Sequence, residues 1–270
     1  TFKRATIDEL ATIDIADMPI PFIAKPARGF FSLGVHTVND PAQWPQVVKA
    51  TQAEQENLNK EYPEAVVSAG EFILEESIPG EEYAVDVYFD DSGEPVIINI
   101  LHHHFMDADD VSDRLYSTSV KIITDWLAPF TEYTAKVGKA CGFRNFPMHI
   151  EVRVDDSGAI NAIEANPLRF AGWCVADITY FAWGFNPYEY YFANKRPDWP
   201  ALFARWEGQV CAMVIGDVPA TIDRAAITSI DQDGFSAQFD NVLEHRVIDH
   251  TQYPLFAFVF AVGLLVPLPV

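Results

Sequence analysis

The chain has 270 residues, 49% of them hydrophobic and 21% charged, with a formal net charge of −21. That length and apolar content suit one large or two modest folded domains and exclude a disordered chain. The acid excess argues against nucleic acid, whose phosphates are bound by surplus Lys and Arg, but leaves a nucleotide site open, since that needs only local cations and metal.

Cys141, Cys174 and Cys211 are odd in number, widely spaced and free of any Cys-x-x-Cys, the pattern of reduced thiols in a cytoplasmic protein. The opening Thr-Phe-Lys-Arg has no signal-peptide character. The apolar run from Leu255 to Val266 is too short to span a bilayer and reads as a buried strand.

In chain order, a short helix is predicted near Ile7 to Thr12, then an apolar strand from Pro19 to Ala24 that delivers Lys25-Pro26. The loop 27–35 carries Gly29, Ser32 and Gly34, whose N–H groups can wrap phosphate oxygens while Lys25 adds charge. It is not a Walker loop, because Gly-Lys-Ser/Thr is missing, and a flexible hairpin loop accounts for it equally well. Pro41 to Tyr62 is helical in composition, with Trp44, Val47, Val48, Ala50 and Leu58 on one face and Pro63 as its stop. Ala65 to Ala69 is short and β-like. An apolar strand at Phe72 to Leu74 breaks at Pro79-Gly80 and resumes as an alternating strand through Tyr88. Such a break reads as an interdomain hinge, a common place for a nucleotide base.

Asp90-Asp91-Ser92-Gly93 turns the chain into a strand from Pro95 to Ile100, which ends at His102-His103-His104. Adjacent strand residues face opposite ways, so the three imidazoles do not suit one metal ion; lining an acceptor cleft fits them better. Asp107 to Asp113 reads as a solvated acidic loop, and Ser119 to Cys141 as one or two helices interrupted near Pro129.

The most informative stretch is 145–172. Met148 to Val154 and Ala159 to Ala165 read as strands joined by the turn Asp155-Asp156-Ser157-Gly158. Paired in simple register, they bring Glu151 close to Glu164 and Asn166, with Arg169 just beyond. Two carboxylates and an amide oxygen are hard ligands that suit Mg²⁺ bound together with substrate phosphates. The competing reading is a surface hairpin with solvated acids; the apolar setting of Ile-Glu-Ala-Asn-Pro favours a metal partner for the charges. Residues 173–192 are dense in aromatics and read as helix and loop packed on the sheet. Pro197 to Pro200 looks like a boundary, and 201–270 like a helix near Trp206 followed by short strands turning at Asp231 to Gly234.

The motifs stand in a fixed order: Lys25-Pro26 with its Gly/Ser loop, Glu-Glu-x-x-x-Gly-x-Glu at 75–82, Glu151, and Glu-x-Asn-Pro at 164–167. This set, over roughly residues 20–172, resembles the ATP-grasp family of carboxylate–amine ligases. The resemblance implies an α+β fold of two lobes with antiparallel sheets enclosing a nucleotide cleft. Residues 1–83 would be the lid lobe, 84–200 the metal-binding lobe, and 201–270 a small β-containing appendage. Lys25 would contact the α- and β-phosphates beneath the loop of Gly29, Ser32 and Gly34. Glu75 would accept from the adenine amino group, the backbone of Glu76 and Ile78 would meet the ring edge, and Glu82 would hold the ribose. Glu151, Glu164 and Asn166 would bind Mg²⁺, or Mn²⁺, and Arg169 and Arg153 would face the substrate.

The implied reaction passes through an acyl phosphate and joins a small carboxylate to an amine, with release of ADP and phosphate. Two departures from the family pattern stand out. An N-terminal subdomain with a further ATP-binding lysine is not seen before the lid, and Leu168 separates Asn-Pro from Arg169. A nucleotide-binding protein without ligase turnover and a phosphotransferase are the alternatives. No nucleic acid or membrane partner is expected, and the aromatic segment with the apolar C-terminal run offers an interface for a second copy.

Overall fold

The computed structural model describes residues 1–28, 34–61, 70–105, 114–204, 206–219 and 222–264. They fall into two units, Thr1–Ile78 with Phe105, and Pro79–His104 with the chain from Arg114 onward.

The first unit is a four-stranded sheet with one helix. Strands β1 (Phe2–Thr6), β2 (Phe22–Pro26), β3 (His36–Val38) and β4 (Glu71–Glu76) lie in the order β1-β4-β2-β3. All pairings are antiparallel. Helix α1 (Trp44–Glu61) follows a 3₁₀ turn whose capping box is formed by Asp40 and Gln43. Period-two alternation sends Phe22, Ala24, Phe72 and Leu74 into a core with Trp44 and Val48 of the helix. Ile23, Lys25, Ile73 and Glu75 therefore share the other face. The helix buries Trp44, Val48, Thr51 and Gln55, while Ala50 is exposed, so its inward stripe continues through polar residues. Ile7 to Thr12 forms hydrogen-bonded turns, short of the predicted helix, and Ala65 to Ala69 lies outside the described residues.

The second unit is built on eight strands: β5 (Glu81–Phe89), β6 (Pro95–His103), β7 (Leu115–Ser119), β8 (Phe146–Val154), β9 (Ile160–Pro167), β10 (Gln209–Asp217), β11 (Val242–Val247) and β12 (Leu255–Leu264). Their order is β11-β12-β10-β7-β6-β5-β8-β9. Helix α2 (Val120–Cys141) starts where the Ser119 hydroxyl accepts from Ile122 N–H and ends at Gly142 in the left-handed region, φ 69°. It runs unbroken through Pro129, where a break was expected. Its buried face of Ile123, Phe130, Thr134 and Gly138 holds it to the sheet, and tertiary packing outweighs the one missing N–H.

Tyr83 packs on Trp126 and Phe130, and an added Cβ at Gly138 would meet the Phe89 ring at 2.2 Å. Odd-numbered β5 residues thus lie under α2, and Glu82, Ala84 and Asp86 face the opposite side. Helices α3 (Asp177–Trp183), α4 (Pro187–Phe192), α5 (Trp199–Phe203) and α6 (Gln232–Ser236) complete the unit.

The units divide at Ile78/Pro79, ahead of residue 83, because Glu81, Glu82 and Tyr83 already pair with β8. Where the sequence suggests a β-containing appendage, the strands β10 and β12 continue the main sheet, β10 pairing directly with β7 and β12. Asp231 to Gly234 opens a helix, since the Asp231 carboxylate caps Gly234 N–H at 2.9 Å. The apolar C-terminal run is the buried strand β12, as its composition predicts. Among the described residues no helix is long and apolar enough to cross a membrane.

Candidate functional site

The β8–β9 hairpin is closed by Asp155, whose Oδ1 accepts from Ser157 N–H, Ser157 Oγ–H and Ala159 N–H at 2.9, 2.6 and 3.0 Å. The turn sets the pairs Val154↔Ile160, Arg153↔Asn161 and Val152↔Ala162. Continued in simple register, it would set Glu151 opposite Ile163 and turn Glu164 toward α2. Instead a β-bulge shifts the register by one residue at Ile163, and Glu151↔Glu164 and His149↔Asn166 come face to face.

The β5–β6 hairpin repeats this design beyond its turn. Asp90 Oδ1 accepts from Ser92 N–H, Ser92 Oγ–H and Glu94 N–H, Ile98 is the unpaired residue, and Asp86 faces Asn99.

Across β5, β8 and β9 the register yields two adjacent rows, Asp86–His149–Asn166 and Ala84–Glu151–Glu164, on the face away from α2. Asp86 is wholly buried; its Oδ1 accepts from His149 Nδ1–H and from Ala171 N–H, each at 2.8 Å. His149 Nε2 lies 3.2 Å from Glu151 Oε1. With an acceptor at each ring nitrogen, only the doubly protonated imidazole satisfies both. Burial disfavours that charge, but the hydrogen bonds to Asp86 and Glu151 outweigh it and raise the His149 pKa to about 9. Burial likewise pushes Glu151 up, yet the bond to His149 and the charges of His149, His103 and Arg169 hold it below the usual carboxylate range.

Next to these rows, Glu82 is buried and receives His103 Nδ1 at 2.8 Å and Arg153 Nε at 2.9 Å. Its expected role at ribose hydroxyls therefore falls to lone pairs that those two groups leave unused. Arg153 is tied to that carboxylate, and Arg169 donates from Nη1 to Phe170 O at 3.0 Å. The three histidines take separate partners: His102 with Glu81, His103 with Glu82, and His104 Nε2 with Ser117 Oγ at 2.7 Å. Only His103 lies on the site face, since His102 pairs with Tyr83 on the α2 side; a cleft lined by all three is not what the sheet builds.

In the first unit, Lys25 Nζ lies 2.5 Å from Glu75 Oε1 on the open sheet face. Glu76 receives the Thr1 ammonium at 3.0 Å, Ile78 ends the unit, and Gly34 has φ 73°. Gly29 and Ser32 lie outside the described residues.

Sequence reasoning missed Asp86 and His149. The available signal was spacing: His149 stands two residues before Glu151 on one strand, hence on the same face.

Among the described residues, no three His, Cys, Asp or Glu side chains form a metal-binding group. Two opposed carboxylates and an amide nevertheless fit Mg²⁺, which keeps several waters and completes its shell with substrate phosphates. Asn166 Nδ2 is buried without a hydrogen-bond partner; as a donor it would suit a phosphate oxygen, while Oδ1 is the amide atom that could face a cation.

A family model described as an ATP-grasp domain matches residues 18–177. No curated protein sequence matches the chain significantly. Among solved structures, the L-amino acid ligase of Bacillus licheniformis superposes with a TM-score of 0.66 at 16% identity, over 98% of this chain and 64% of that one. Biotin carboxylase of Campylobacter jejuni, in complex with an ATP analogue, gives 0.58 at 12% identity, over 93% and 55%. The biotin carboxylase domain of the Hydrogenobacter thermophilus 2-oxoglutarate carboxylase, a dimer complexed with MgADP and bicarbonate, gives 0.57 at 12%, over 93% and 55%. At such identities the likeness establishes a shared fold, and the chain spans less than two thirds of the length of each of these proteins.

Proposed function

The chain belongs to the ATP-grasp domain family, and on that premise we propose that it is an ATP-dependent carboxylate–amine ligase. The observation that carries the reading is the bulged hairpin, which opposes Glu151 to Glu164 and sets Asn166 beside them.

In the proposed reaction a substrate carboxylate oxygen attacks the γ-phosphorus of ATP and ADP leaves. An amine then attacks the acyl carbon of the mixed anhydride, phosphate leaves with the C–O electron pair, and the amine nitrogen loses a proton. Mg²⁺ held by Glu151, Glu164 and Asn166 would offset charge on the phosphoryl oxygens. In the first unit, Lys25 would meet the phosphates beside the 29–34 loop, while Glu75, Glu76 and Ile78 would meet the adenine. In the second, Glu82 would lie near the ribose, and Arg153 and Arg169 near the acceptor acid. The three cysteines are free thiols, which fits a reducing compartment such as the cytoplasm.

Calorimetric titration of ATP with and without Mg²⁺, alongside Glu164→Ala, tests the site. Mg²⁺-dependent binding that the substitution weakens is expected, with ADP release that requires both an acid and an amine. ATP hydrolysis indifferent to any amine would overturn the ligase reading.

A further inference from the structure

We propose that Asp86 and His149 are positioning residues that fix the orientation of Glu151 toward a bound cation; the inference rests on the metal reading of that hairpin. Asp86 comes from β5, His149 and Glu151 from β8, and Ala171, whose N–H holds Asp86, from the segment after β9. A single buried carboxylate thus ties the histidine to two segments besides its own strand.

The chain of contacts runs Ala171 N–H to Asp86 Oδ1 at 2.8 Å, Asp86 Oδ1 to His149 Nδ1 at 2.8 Å, and His149 Nε2 to Glu151 Oε1 at 3.2 Å. His149 is 4% exposed and Asp86 0%, so both are shielded from solvent. With Oε1 engaged by the imidazole, Glu151 has Oε2 left to present beside Glu164.

A purely structural role explains Asp86 poorly. Its second oxygen, Oδ2, is buried without a hydrogen-bond partner, which an asparagine amide or an apolar side chain would make less costly. Asp86 Oδ1 instead serves as the acceptor that fixes the ring of His149, whose far nitrogen faces Glu151 Oε1. Outer partners of this kind orient ligating carboxylates, and their loss typically weakens metal binding about 10–100-fold.

The test uses the full chain with ATP, and Mn²⁺ as the paramagnetic probe, comparing His149→Leu, His149→Gln, Asp86→Asn and Glu164→Ala. Mn²⁺ affinity is read by electron paramagnetic resonance, metal-free ATP affinity by calorimetry, and folding by thermal melting. His149→Leu and Asp86→Asn are expected to weaken Mn²⁺ about 10–100-fold at unchanged metal-free ATP affinity. His149→Gln, whose amide N–H reaches Glu151, should recover most of the loss, which a packing role would not predict. A folded His149→Leu chain that binds Mn²⁺ within about twofold of the parent overturns the proposal while Glu164→Ala still weakens binding. Glu164→Ala without effect would instead remove the metal reading itself. If His149→Leu fails to fold, Asp86→Asn decides on the same readout; if neither folds, the pair is structural and the proposal falls.

Discussion

Replacing Gly80 by alanine should destabilise the second unit by about 3–5 kcal/mol. Gly80 has φ 115°, and an added Cβ would lie 2.1 Å from Val154 O, 2.5 Å from Val154 C and 2.8 Å from Asp155 N. These are backbone atoms at the end of β8, where Val154 pairs with Glu81, so relief requires parting the strands at their first pair. The left-handed backbone costs about 1–3 kcal/mol for a residue with a Cβ. Each ladder hydrogen bond given up costs about another 1 kcal/mol. Gly158→Ala is the control: φ is 82° there, but nothing lies within 4 Å of the added Cβ, so only the backbone contribution remains. In urea, with a slope of about 2 kcal/mol per molar, Gly80→Ala should lower the unfolding midpoint by about 2 M and Gly158→Ala by about 0.5–1.5 M, and by less than Gly80→Ala. Equal shifts for the two would refute the close approach of Gly80 to Val154.

His104 is held down to about 4 by burial and by the neighbouring His102 and His103 charges, so the unfolded chain takes up its proton first on acidification. Stability should therefore fall as pH drops from about 6.5 to about 4, and His104→Gln should flatten that part of a urea-midpoint profile. Lys25→Met should weaken ATP binding about 10-fold or more, the worth of a charge-assisted hydrogen bond, in a calorimetric titration. Burial pushes the Cys211 thiol up to about 12, whereas Cys141 is exposed. A thiol reagent at neutral pH should modify Cys141 in the native protein and reach Cys211 only after denaturation, with mass mapping as the readout.

Much of the frame was legible because local chemistry and tertiary context agree. The alternation at Phe22 to Pro26, the two Asp-Asp-Ser-Gly turns and the apolar run of β12 each specify their element without outside help. Where the two disagree, the sequence misleads. Pro129 signals a break, but a buried helical face carries α2 past it. Asp231 to Gly234 has turn composition, yet the same aspartate serves as a helix cap. The polar residues Thr51 and Gln55 line a buried stripe that a hydrophobic count passes over. His149 and Asp86 were invisible for a related reason: a lone polar residue in an apolar strand gains meaning only once strand neighbours are known, and those are set across β5 and β8, more than sixty residues apart.

The two register shifts carry a consequence for how this site is encoded. In the β8–β9 hairpin the paired residue numbers sum to 314 from Val154↔Ile160 to Val152↔Ala162 and to 315 from Glu151↔Glu164 onward. The β5–β6 hairpin passes from 184 to 185 at the same distance from its turn. Parity, not residue type, decides which side of the sheet receives each acid, and Ile163 and Ile98 absorb the odd residue. Deleting Ile163 would thus leave Glu151 and Glu164 opposed in an unbulged ladder, while an insertion accommodated in regular pairing on the β9 side would send Glu164 and Asn166 beneath α2. Two proteins could share every motif of this hairpin and differ in the site by a single count.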